Sequence, residues 1–167
     1  MIAAVAAARA VDQLGASVAN PLPSFQRWWL QRMATTAYPL EERLTLYWHG
    51  HFATAWHKVM KVGPMMDQNR LFRDMAAGDF RQLCKAVTAD AAMLVFLDGA
   101  ANRGGATNEN YSREFMELFT LGRNQGYTQA DVRDAARAFT GYTSDAFGGT
   151  QFNGAFHDRS AKTILSN

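Results

Sequence analysis

Three groups of residues carry side chains able to bind an ion, move a proton or attack a bond. The first is Trp48-His49-Gly50-His51-Phe52, with His57 and Lys58 downstream. Two histidines at i and i+2 share one side of a strand, where such pairs chelate zinc or iron. On a helix the same spacing rotates them about 200° apart, and they cannot share one ion. The local pattern predicts a helix, which sets His51 on the face of Leu40, Leu44 and Tyr47 and turns His49 toward Thr45 and Trp56. A core-facing histidine bonded to a carboxylate is then the alternative to a ligand. Gly50 weakens that helix by roughly 1 kcal/mol, and a distortion there would restore the chelating geometry.

The second group is TNENYSREFMELFTLG at 107–122. Read as a helix, Tyr111, Phe115, Leu118 and Phe119 form an apolar stripe. Glu114 falls about 90° from the centre of that stripe at 100° per residue, with Asn110 and Glu117 on the same flank. A carboxylate at a core edge needs a partner, because an unpaired buried charge is costly. Two readings follow. In one, Asn108 caps the helix, Glu109 favours its N-terminus, and Glu114 pairs with Arg133 or Arg137 of the next helix. In the other, Glu114 belongs to a ligand or metal site with Asn108 or Asn110.

The third group is Phe156-His157-Asp158, with Lys162 four residues later, in an irregular tail. It reads as an Asx turn or as a ligand pair. On paper, His49, His51, Glu114 and His157 furnish a site suited to Zn, Fe or Mn. The catalytic candidates are Glu114, His157 and Asp158. Asn108, Glu109, Asn110 and Arg113 are candidates for ligand binding, and His49, His51 and Glu114 for holding a divalent transition metal.

The elements that must position these groups are mainly helical. An Ala-rich helix is expected over 2–14, and a second from Ser24 to about Thr36. A third opens at Pro39, with Glu41 and Glu42 complementing its dipole, and runs to about Lys61 before Gly63-Pro64. Helices follow over 68–76 and 79–88. The run AAMLVFL at 91–97 fits a strand or a buried helix equally well. After the polar loop 98–107 and the helix ending at Gly122, Thr128 and Asp131 fit a capping box for a helix ending at Gly141. The reading is an irregular bundle of six to seven helices with a loop-rich C-terminal tail that can hold a small hairpin.

At 167 residues one domain is expected. Hydrophobic residues at 48% and charged residues at 19% argue against disorder. A net charge of +2, with scattered Lys and Arg, argues against nucleic acid. The single cysteine, Cys84, sits in an apolar helical stretch and reads as a buried thiol rather than a nucleophile. The N-terminus lacks the basic start of a signal peptide, and no stretch approaches the ~20 apolar residues of a membrane span. Cytoplasmic residence is the default expectation. No GxGxxG, Walker, HExxH or GxSxG motif occurs.

Five segments in order, PLEERLTLYWHGHFAT at 39–54, AAMLVFLDG at 91–99, TNENYSREFMELFTLG at 107–122, GYTQADVRDAARAFTGYT at 126–143 and HDRSAKTIL at 157–165, resemble the bacterial family called domain of unknown function 1800. The resemblance implies a largely helical bacterial protein, usually longer than this chain. A fragment of a longer domain, lacking the remainder of its own chain and less stable than the whole, is therefore expected. Ala91, Ser112 and Tyr142 stand where Pro, Ala and Trp are common in the family. The resemblance also implies a protein partner encoded nearby, of sulfatase-like appearance, and export of full-length relatives. Two functions are open: a metal-dependent or hydrolase- or oxidoreductase-like site, and a non-catalytic accessory or binding module.

Overall fold

The computed structural model describes residues 22–144 and 149–165. The helix expected over 2–14 lies outside them. Eight α-helices occupy the described residues: α1 (Leu22–Thr35), α2 (Pro39–His51), α3 (Trp56–Val59), α4 (Val62–Asp74), α5 (Phe80–Thr88), α6 (Ala91–Phe96), α7 (Asn110–Glu114) and α8 (Gln129–Ala138). A π-helical segment, Phe115–Thr120, continues α7 directly. Strands β1 (Tyr142–Ser144) and β2 (Thr150–Phe152) pair antiparallel, Tyr142 opposite Phe152. The protein is mainly α with one small hairpin, as the spacing predicts.

The helix starts follow capping chemistry. Asp79 accepts the Gln82 N–H at 2.9 Å and Asp90 that of Met93 at 2.8 Å. Thr128 and Asp131 form the expected reciprocal capping box. Pro39 opens α2, where its missing N–H costs nothing.

Two boundaries differ from expectation. The helix predicted over 39–61 stops at His51, because Phe52 is wholly buried and Thr54 turns inward to bond Gln68 at 2.6 Å. Gly63-Pro64, expected as a break, instead lies in the first turn of α4. Proline is tolerated there because a first-turn N–H has no intrahelical partner. The apolar run at 91–97 resolves to helix. Asp90 caps it, and its packing against α3, α4 and α5 encloses it on several sides.

The main core gathers Phe52, Phe72, Leu83, Val87, Met93, Tyr111 and Phe119 from six segments distant in sequence. A second cluster, with Phe25, Val59, Val62, Met65 and Met66, ties α1 to α3 and α4. A third packs Met116 onto Val132 and Ala135 of α8. Burial of each such large side chain stabilises by about 1.5–3 kcal/mol before chain entropy is set against it.

The π segment changes which residues face that core. Its wider turn delays the rotation of each residue after Phe115. Phe119 and Met116 are buried, while Leu118, expected in the stripe, is 62% exposed. Gly122 closes the segment at φ +96°, the left-handed C′ geometry expected of it.

Candidate functional site

The motif at 107–122 is anchored from below by Asn102, which is 2% exposed. Its Nδ2 donates to the Ala136 carbonyl at 2.7 Å, and its Oδ1 accepts the Asn108 N–H at 2.9 Å. Asn108 in turn accepts the Asn110 N–H at 2.9 Å, an Asx turn that starts α7. Asn110 enters this arrangement through its backbone.

The charged residues of the motif join α7 to α8. Glu109 accepts from Arg113 Nη2 at 2.9 Å and from Gln129 Nε2 at 2.7 Å, and Arg113 also donates to Gln129 Oε1 at 3.0 Å. Ser112 Oγ lies 2.9 Å from the Glu109 carbonyl and 3.0 Å from that of Val132. Tyr111 Oη meets Thr88 Oγ1 at 2.9 Å inside the core, and burial pushes the phenol far above its usual range.

Glu114 is half-buried, and neither expected arginine reaches it. Arg137 is committed to Asp134 and Asp158, and Arg113 spans Glu109 and Glu117. Among the described residues Glu114 has no hydrogen-bonding or ionic partner.

The two histidines of α2 part company, as a continuous helix requires. His51 Nε2 lies 2.9 Å from the Phe119 carbonyl. A carbonyl cannot donate, so Nε2 carries the proton and closes an orphan acceptor at the end of the π segment. Its ring stacks on Tyr47 at 6.1 Å and meets Phe80 edge-on. His49 faces the other way, its ring 5.1 Å from Trp29 at 89°, and burial lowers its pKa. Gly50 leaves the helix intact, so the chelating geometry is not restored. Among the described residues no three His, Cys, Asp or Glu side chains are grouped so as to hold a metal ion. The set His49, His51 and Glu114 is thus not brought together as a ligand cluster.

The tail forms a strap across α8. His157 Nδ1 lies 2.9 Å from the Thr140 carbonyl, which makes Nδ1 the donor and leaves Nε2 as acceptor. Asp158 accepts from Arg137 Nε at 2.9 Å and from the Ser160 N–H at 2.9 Å, while its own N–H donates to Thr140 Oγ1 at 2.8 Å. The Arg137 and Ser160 bonds hold its carboxyl well below the usual carboxylate range. Arg137 also donates to Ser160 Oγ and the Ala161 carbonyl, and Lys162 Nζ to the carbonyls of Asp158 and Ser160. The Thr163 and Leu165 N–H groups donate to Asp134 and Asp131, each at 2.7 Å. Gly141, at φ +99°, permits the close approach of the hairpin, since a Cβ there would stand 2.8 Å from the Phe152 ring.

Local spacing does not reveal one buried charge that accepts four hydrogen bonds. Glu42, read as a dipole-complementing residue, is 2% exposed. It accepts from Trp29 Nε1 at 3.2 Å, Arg32 Nε at 2.5 Å, and Arg73 Nε and Nη2 at 2.6 and 3.1 Å. These partners lie 10 to 31 residues away, so no local pattern could reveal them.

A cleft of about 700 Å³ opens beside this hub, between the α1–α2 turn and the C-terminal end of α4. Tyr38, Pro39, Leu40 and Leu44 line one side, and Ala76 and Ala77 the other. Glu41, Arg73 and Asp74 supply its charged atoms. The Ala76 carbonyl accepts from Trp48 Nε1 at 2.8 Å, which ties the end of α4 to α2.

No curated protein and no solved structure matches the chain. The family described as "Protein of unknown function (DUF1800)" matches residues 2–167, and the chain belongs to that family.

Proposed function

We propose that the chain is a non-catalytic helical binding module that works with a partner protein, of which the sulfatase-like neighbour expected from the family resemblance is the first candidate. One observation carries the reading. The polar motif residues Asn108, Glu109, Arg113, His51, His157 and Asp158 are committed to helix, turn and strap contacts within the chain. Large apolar side chains meanwhile stand in solvent around the cleft, Tyr38 at 70% and Leu40 at 67% exposure. Clustered exposed apolar surface of this kind marks an interaction site.

The test is co-expression of the chain with its genomic neighbour, followed by affinity capture and size-exclusion chromatography. The reading expects a stoichiometric complex that survives Glu114→Ala. A clean monomer with nothing retained, from cells making both proteins, would refute it.

A reactive site at Glu114 is the second reading, favoured by the half-buried carboxylate having no partner among the described residues. It expects Glu114→Gln to abolish a turnover measurable in wild type, and metal content to fall with it if an ion takes part. Under a tenth of an equivalent of transition metal, unchanged in Glu114→Ala, removes the metal form.

A further inference from the structure

We infer that the cleft between α2 and the end of α4 receives a partner polypeptide segment carrying aliphatic side chains beside a lysine or arginine. The inference rests on the binding-module reading and names the chemistry of its partner.

Asp74 is the last residue of α4, a 13-residue helix whose C-terminus carries the negative end of the backbone dipole. A carboxylate is disfavoured there, and Asp74 is exposed with no partner among the described residues. Glu41 adds a second carboxylate to the cleft wall, its nearest cation, Arg32, standing at 3.4 Å while held more tightly by Glu42. Among the described residues, the one cation lining the cleft is Arg73, whose Nε and Nη2 are both taken by Glu42. With Arg32 and Arg73 balanced by Glu41 and Glu42, the charge left unbalanced at the cleft is Asp74 on a helix C-terminus. Its electrostatic complement is a cation.

The apolar lining and its extent decide what carries that cation. Leu40 and Leu44 line the cleft, and Tyr47 continues the same face of α2 beyond it, 59% exposed. That face runs about 10 Å from Leu40 to Tyr47 at 1.5 Å per residue. It ends at Phe80, 42% exposed and stacked on Trp48 at 5.8 Å. A small amine would meet the charge and leave the cleft and this strip largely bare, whereas an extended or helical segment covers both. Exposed tyrosine beside a concave apolar centre also matches the anchors of protein interfaces.

The experiment uses the whole chain and three fluorescein-labelled peptides of equal length and spacing, one of Leu and Lys, one of Leu and Glu, one of Ser and Lys. Fluorescence anisotropy is expected to show the Leu/Lys peptide binding about tenfold or more tightly than either control. Asp74→Lys is expected to invert the preference toward the Leu/Glu peptide, and Leu40→Ser to weaken binding of both Leu peptides. Asp74 is exposed at a helix end, so Asp74→Lys should fold and raise the thermal midpoint slightly, which serves as the control. Equal binding of the three peptides, or a preference untouched by either substitution, overturns the inference. So does a concentration-dependent dimer dissolved by Leu40→Ser, which would make a second copy the occupant. If the neighbour is retained by Leu40→Ser and Asp74→Lys as by wild type, the cleft is wrong and the binding-module reading stands. If no neighbour is retained but the peptide preference inverts as expected, the reading built on the neighbour falls and the cleft stands as a polypeptide site.

Discussion

Replacing Glu42 with glutamine keeps the shape of the side chain and removes the charge that Arg32 and Arg73 share. Arg73 is only 9% exposed along its side chain, and Glu42 2%, so solvent cannot take over the neutralising role. Breaking a buried pair by deleting one partner costs about 3–5 kcal/mol, because the survivor is left as an uncompensated buried charge. For a chain of this size each kcal/mol moves the midpoint by about 2–4 °C, so Glu42→Gln should melt roughly 6–20 °C below wild type. Urea unfolding at pH 7, followed by circular dichroism, reads the same loss as a lower Cm at unchanged m. Replacing both Glu42 and Arg73 by apolar residues should recover much of it, since buried ion pairs exchange for apolar packing at little cost. The pH dependence carries a second check. Burial pushes the Glu42 pKa up, but the bonds from Arg73 and Arg32 outweigh it and hold it lowered. A depressed carboxylate stabilises above its unfolded pKa and loses that contribution as pH falls through the folded value. The gap between wild type and Glu42→Gln should therefore be full at pH 7 and narrow progressively as pH falls below the unfolded value of 4.5. A loss under about 1 kcal/mol at pH 7, or a gap that persists in acid, would refute the reasoning.

Asp90 should behave in the opposite sense. Burial pushes its carboxyl up to about 6 despite bonds from the Met93 N–H and Gln68. The folded state then holds a proton that the unfolded state releases near 3.8, so stability falls by about 3 kcal/mol as pH rises from 4 to above 6. Asp90→Asn should flatten that limb of the curve and match or exceed wild type at pH 8, as denaturation across pH would show. Asn102→Ala deletes a buried side chain with two bonds and should cost about 2–4 kcal/mol in urea unfolding. Arg137→Ala releases three tail contacts, to Asp158, Ser160 and Ala161, so limited proteolysis should cut within 158–165 about tenfold faster while α8 keeps its helix. Cys84 is buried, and burial raises its thiol pKa; labelling by a thiol reagent should therefore track unfolding rather than proceed in the native state.

Much of the helical frame was legible because its signals are local. Asp79, Thr128 with Asp131, and Gly122 each mark a helix end through groups within three or four residues. The family membership rests on ordered short motifs and was legible for the same reason. The boundary at His51 was not. What stops α2 there is the demand of the core for Phe52 and of Gln68 for Thr54, and both partners lie far along the chain.

The candidate site divides in the same way. The sequence by itself predicted that His49 and His51 oppose each other on a helix, because rotation per residue is fixed, and the structure decided that Gly50 leaves that helix undistorted. The sequence also determined that Glu114 sits at the edge of an apolar stripe. Only the tertiary structure decided that Arg137 turns to Asp158 rather than to Glu114, and that Glu42 rather than Glu114 is the paired buried carboxylate. It alone brought Tyr38 and Leu40 beside Asp74 to make a cleft. The physical reason is common to all three. A charge pairs with whichever opposite charge the packed helices bring within about 3 Å, and that distance is set by the whole core rather than by neighbours in sequence.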